Sequence, residues 1–156
     1  MHHRDSGVIQ SAFIVTVPVL LGYTAIGIAF GLLTVSFGFP WWVVVIMSSL
    51  IYAGAGQYIG IELLATGAGI PEMALVTLLV NARHMVYGLS LQQKFIGTGP
   101  YKPYLIFALT DETYALLTTV TPPADADRPR FYFFIALLDH SYWILAGMAG
   151  FFLGNL

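Results

Sequence analysis

The stretch Pro71-Glu-Met-Ala-Leu-Val-Thr-Leu-Leu-Val-Asn81-Ala-Arg83-His84-Met-Val-Tyr-Gly-Leu-Ser-Leu-Gln92 decides how this chain folds. It is long enough for a bilayer-spanning helix, which needs about 20 mostly apolar residues. Yet Asn81, Arg83 and His84 sit at its middle. A charged side chain there costs roughly 2.5 kcal/mol or more, so it must face other polar groups or a wet cavity. Two later apolar runs repeat the pattern, one with Asp111 and Glu112 and one with Asp139. The reading is a membrane protein with a polar interior.

Composition agrees. The chain is 58% hydrophobic and 9% charged, with a mean hydropathy of +0.79. A soluble domain carries about 25% charged residues. Too few charges are present to coat a water-facing surface. A net charge of −2 with no basic block excludes nucleic acid as a partner. The absence of Cys removes disulfides and thiolate chemistry. No HExxH or GxSxG occurs, and the four His have no metal-ligand spacing, so neither metal nor cofactor is expected.

Working outward, five apolar segments emerge. The first, Ser11 to Phe37, is much longer than a signal-peptide core and is expected to tilt, kink or break, with Pro18 inside it. Gly38-Phe-Pro40 then turns the chain, and Trp41 and Trp42 suit the interfacial belt. The second, Trp42 to Thr66, contains Ala53-Gly54-Ala55-Gly56-Gln57-Tyr58, poor helix material that predicts an interruption at mid-membrane. The third is Pro71 to Gln92. The fourth, Tyr104 to Val120, is short enough to cross only partly. The fifth runs from Phe131 to Leu153. The loops Lys94 to Pro103 and Thr121 to Arg130, with Asp125 and Asp127, are aqueous. The expected fold is an all-α membrane protein, a polytopic helical bundle of about five transmembrane segments, at least one broken or kinked. Basic residues split three to two between the sides, too evenly to orient the chain. GxxxG spacings at Gly27/Gly31, Gly56/Gly60 and Gly150/Gly154 are read as close packing within the bundle.

Arg83 needs a counter-charge, and Asp111, Glu112 and Asp139 are available. It could fix helix register, hold a substrate carboxylate, or exchange partners with a protonatable carboxyl during transport. Asp111 and Glu112 project about 100° apart on a helix, so they do not share one partner. His84 and His140 are read as satisfied interior histidines. Glu62 fits either a pathway or an interface. Freed amides around Gly54, Gly56 and Gln57 would favour a carboxylate, and freed carbonyls an ammonium group.

The blocks Tyr23-Thr-Ala-Ile-Gly27-Ile-Ala-Phe-Gly31, Tyr52-Ala-Gly-Ala-Gly-Gln-Tyr58, Leu79-Val-Asn-Ala-Arg-His-Met-Val-Tyr-Gly-Leu-Ser90 and Thr110-Asp-Glu-Thr-Tyr114, in this order, resemble the AzlC-type branched-chain amino acid permeases. These are the large subunits of bacterial valine exporters. The resemblance covers roughly residues 15 to 154. It implies a multi-pass protein of the bacterial inner membrane that exports branched-chain amino acids. It also implies a small hydrophobic AzlD-type partner subunit and drive by an ion gradient, with protons the expected ion. Substrate contacts are then expected from Gly54, Gly56, Gln57, Tyr58, Asn81, Arg83 and His84, and proton coupling from Asp111, Glu112 and Asp139. The chain departs from the family at Gly56, where Ser is common. The family also continues for further spans beyond the point matching Leu156, so residues 1–156 are expected to be the N-terminal part of a longer permease domain. The competing readings are a passive channel, an assembly subunit, or a membrane enzyme using Asp111, Glu112 and His84 as acid and base. No activated nucleophile supports the last.

Overall fold

Helix α1 (His2–Ser36) and helix α8 (Arg128–Leu153) form the frame on which the other elements hang. A computed structural model describes residues 2–124 and 126–156, with side chains from Gly7 onward. Asp125 and the side chains of His2, His3 and Arg4 lie outside the described residues. The apolar part of α1, Gly7–Ser36, has a mean hydropathy of 2.1, and α8 has 1.3. At 1.5 Å per residue these helices measure roughly 45 and 39 Å, enough to cross a hydrocarbon layer of about 30 Å. Of the tilt, kink or break expected of the first segment, the break is absent: α1 runs through Pro18 as one helix.

Small residues explain how closely the two long helices approach. A Cβ at Gly27 would lie 2.6 Å from the Cβ of Ala146. At Gly31 it would strike the backbone of Gly147 to Phe151, and at Gly150 the backbone of Ile28. Without hydrophobic drive between helices in lipid, such backbone contact is what holds them together. The GxxxG spacings at Gly27/Gly31 and Gly150/Gly154 are therefore used within the bundle.

The other three segments are each built in two pieces. In the second, α2 (Trp41–Ile46) passes into a π-helical turn (Met47–Ile51) before α3 (Gly54–Thr66) begins. The break falls at Tyr52, which adopts a left-handed φ of 43°. This corrects the expected position. Gly54 and Gly56 are helical, in the first turn of α3, and neither has a positive φ. Tyr52 sustains its strained backbone because its ring is buried and stacked on His140, centroids 4.2 Å apart. In the third segment, α4 (Ile70–Asn81) and α5 (Arg83–Ser90) meet at Ala82. In the fourth, after a 3₁₀ turn (Gly99–Tyr101), α6 (Lys102–Phe107) stops and α7 (Asp111–Thr119) restarts after three residues.

Local chemistry sets these boundaries. Thr110 caps α7 by accepting from the Thr113 N–H at 3.3 Å, and Asp111 and Glu112 complement the helix's positive end. At the aqueous end Lys94 donates to the last carbonyls of that segment, Thr118 and Val120. Asp127 caps α8 through the Arg130 N–H, so Arg128 and Arg130 open the helix.

The outer surface is apolar. Leu21, Leu75, Leu79, Leu89 and Leu145 are all exposed, and α4 and α5 bury no residue. Water would penalise such a face, whereas hydrocarbon does not. No strand occurs among the described residues, and the fold is that of an all-α membrane protein.

Candidate functional site

The three broken segments converge. Their junctions at Tyr52–Gly54, Arg83–His84 and Thr110–Glu112 line one cavity of about 280 Å³, closed by Tyr23 and Ile26 of α1 and Trp143 of α8. That is just under the usual size of small-molecule sites, about 300–1,000 Å³. Each break places a helix end beside the cavity.

On one wall Arg83 Nη1 lies 2.6 Å from Asp111 Oδ2. Tyr87 donates its hydroxyl to the other carboxylate oxygen at 2.5 Å and stacks on Tyr114, centroids 4.3 Å apart. Both charged side chains are about 40% exposed (39% and 42%), so the pair opens to the cavity. Arg83 Nε is buried and makes no hydrogen bond, which leaves the guanidinium spare donor capacity. His84 turns its Nδ1 to the Asn81 carbonyl, 3.0 Å away, at the α4–α5 junction.

The opposite wall carries no net charge. Gly54 and Ala55 present the start of α3, whose first amides have no partner within the helix. Tyr58 reaches across to the Ile26 carbonyl at 2.6 Å. Tyr23 meets Trp143 edge-on, centroids 5.1 Å apart. Glu112 enters between the walls and accepts from the Tyr23 hydroxyl at 2.9 Å.

Of the residues singled out in the sequence, Gly54, Tyr58, Arg83, His84, Asp111 and Glu112 line the cavity. Gly56, Gln57 and Asn81 stand behind it. Gln57 is fully buried: its Oε1 accepts from Trp143 Nε1 at 2.8 Å and from the Ala53 N–H at 3.2 Å, while its Nε2 donates to Ser48. It ties the cavity's aromatic wall to the helix break. Asn81 faces Gly56, where an added Cβ would sit 2.9 Å from its amide group. Asp139 is sealed from the surface and takes one hydrogen bond, from Thr113 at 2.9 Å. It forms no ion pair with Arg83. His140 bridges the Ser48 carbonyl and the Tyr104 hydroxyl, both at 3.0 Å, as a satisfied interior histidine. Glu62 is exposed and away from the cavity.

Sequence reasoning did not assign Tyr23, Ile26, Tyr52, Thr110 or Trp143 to the site. Tyr23, Tyr52 and Thr110 open the blocks that carried the family resemblance, which was their signal. Ile26 and Trp143 resemble any other apolar residue of a spanning helix.

Known proteins bear on this geometry. The model of the AzlC protein family matches residues 18–156. An uncharacterized membrane protein of Helicobacter pylori is 42% identical, covering 98% of this chain and 67% of that protein. The branched-chain amino acid transport protein AzlC of Bacillus subtilis is 41% identical, covering 94% of this chain and 58% of its own length. The inner membrane protein YgaZ of Escherichia coli is 29% identical, over 90% and 58% respectively. The chain thus spans about two thirds of the length of these relatives, or less. No solved structure matches. The family model's match over residues 18–156 shows that this chain belongs to the AzlC family.

Proposed function

We propose that this chain is the large subunit, or the cavity-forming part of it, of a secondary transporter. It exports branched-chain amino acids across the bacterial inner membrane, driven by protons and working with a small AzlD-type hydrophobic subunit. The observation that carries this reading is the single cavity at which three broken membrane segments meet. It combines the N-terminal turn of α3, the Arg83–Asp111 pair, the Glu112 carboxyl held by Tyr23, and an aromatic and aliphatic wall. A zwitterion with a small apolar side chain matches all four: its carboxylate suits the amides and Arg83, its ammonium suits Glu112 and the faces of Tyr23 and Trp143, and its side chain suits Ile26 and Tyr58. Discontinuous helices at the bilayer midplane serve this purpose in secondary transporters generally. The likeness to a branched-chain amino acid transport protein supports the substrate class. Five crossings, three of them broken, follow from the segment pattern.

The test is efflux of labelled valine from proteoliposomes holding this chain and the small subunit, with and without an imposed pH gradient. Saturable efflux accelerated by the gradient is expected. Flux that neither saturates nor responds to the gradient would replace the exporter with a passive channel.

A further inference from the structure

Five side chains from three helices form one unbroken hydrogen-bonded line from the cavity into the core. Glu112 Oε2 lies 2.9 Å from the Tyr23 hydroxyl, and that hydroxyl lies 2.6 Å from Thr110 Oγ1. Thr110 Oγ1 is 3.2 Å from Thr113 Oγ1, which is 2.9 Å from Asp139 Oδ2. The line starts at a carboxyl on the cavity and ends at one sealed from the surface.

Hydrogen counting gives this line its chemistry. It has four oxygen-to-oxygen links, but Tyr23, Thr110 and Thr113 supply three hydroxyl hydrogens. With both carboxylates ionised, one link holds no hydrogen and two oxygens face each other bare. One added proton completes all four links. Placed on Glu112, it lets every hydroxyl donate toward Asp139; placed on Asp139, it lets every hydroxyl donate toward Glu112. The two arrangements interconvert when each hydrogen shifts by one link, so the added proton passes between Glu112 and Asp139 with no side chain moving, and it enters and leaves at the Glu112 end, which opens to the cavity.

We infer that Glu112 and Asp139 share a single proton through Tyr23, Thr110 and Thr113, and that this relay is the coupling element between the cavity and the buried core. The inference rests on the transport reading above and names the groups through which the proton moves. Asp111 is left out because Arg83 and Tyr87 already occupy its two oxygens. Asp139 has no cation beside it among the described residues, and its Oδ1 makes no hydrogen bond. The groups around it are the phenols of Tyr52, Tyr104 and Tyr142, with Glu112 beyond Thr113. The buried Tyr52 hydroxyl lies beside Tyr23 and Thr113 but completes none of the four links. Around Glu112 stand Tyr23 and, across the cavity, Arg83, Asp111 and His84. Intramembrane carboxyls joined by hydrogen-bonding groups are the usual parts of proton relays.

The test reads the carboxylic-acid C=O band in the infrared spectrum of the purified chain, at the pH of the efflux assay. The wild type is expected to show one such band. Glu112→Gln and Asp139→Asn should each abolish it, because either amide supplies the fourth hydrogen. Survival of the band in either variant would overturn the inference, since the proton would then belong to one residue alone. Disappearance of the wild-type band on adding sodium at constant pH would overturn it too, marking a metal-cation site. In proteoliposomes, Thr113→Val should cut gradient-driven valine efflux by about tenfold or more while valine exchange persists, and Thr113→Ser should restore it. Gradient-driven efflux unchanged in Thr113→Val would count against the relay. A wild type that moves no valine would sink the exporter reading, and the infrared result would still judge the shared proton.

Discussion

The α1–α8 frame and the three broken segments solve opposite problems with the same few residue types. In the frame, glycine removes side chains so that two unbroken helices touch backbone to backbone. In the broken segments, Gly54 and Ala55 stand where a helix starts, and their backbone faces the cavity instead of a neighbour. The frame keeps its polar backbone internally satisfied, as hydrocarbon requires. The broken segments instead bring their helix ends together around one cavity. Close helix packing and much of the cavity lining are thus divided between different segments of one bundle.

The largest effect should come from breaking the frame. Gly150→Leu pushes a side chain into the Ile28 backbone and should cost about 3 kcal/mol in unfolding from detergent micelles. At Gly22 on α1 an added Cβ meets nothing within 4 Å, so Gly22→Leu should not lower the unfolding midpoint, which would show that the position matters and not the residue type. Equal losses from both would mean the close α1–α8 contact does not hold the fold.

A smaller effect is expected where frame and cavity are tied. Gln57→Leu strands the Trp143 Nε1–H and the Ala53 N–H, and should cost about 2 kcal/mol. Trp143 fluorescence should report a changed environment, since the indole loses its acceptor. An unchanged emission spectrum would argue against that hydrogen bond.

In the broken segments the effect should move from stability to function. Arg83→Gln removes an ion pair that is well exposed, so unfolding should shift by less than about 1 kcal/mol. On the proposed function valine efflux should nevertheless fall by at least about tenfold, because the pair faces the cavity. Asp111→Asn should slow efflux yet leave its dependence on the pH gradient intact. Loss of that dependence in Asp111→Asn would return the coupling role to Asp111. The smallest effect belongs to Gly56→Ser, the residue common in the family: its hydroxyl would meet the unpartnered Asn81 Oδ1 after a slight shift of that flexible amide. A change within about 0.5 kcal/mol is expected in unfolding.

Much of this division can be read in one dimension. The unbroken first and last runs differ in sequence from the second, third and fourth, which carry Gly-Ala-Gly-Gln, Asn-Ala-Arg-His and Thr-Asp-Glu-Thr at their centres. The places of the breaks are harder to read. Gly54 and Gly56 suggested the interruption of the second segment, yet it occurs at Tyr52, a residue with no local preference for a left-handed backbone. Burial against His140, far along the chain, sustains it. Pro18 left tilt, kink and break all open for the first segment, and α1 carries it inside one continuous helix.

By itself, then, the sequence determined the membrane class, the five apolar runs and the polar residues that must avoid lipid, because the free energy of placing a side chain in hydrocarbon depends mainly on what that side chain is. Tertiary structure decided which carboxylate pairs with Arg83, which glycines touch which backbone, and how Glu112 connects to Asp139. Those choices depend on distances between residues such as Tyr23 and Thr110, 87 positions apart. No local pattern encodes such distances, because they exist only once the helices have packed.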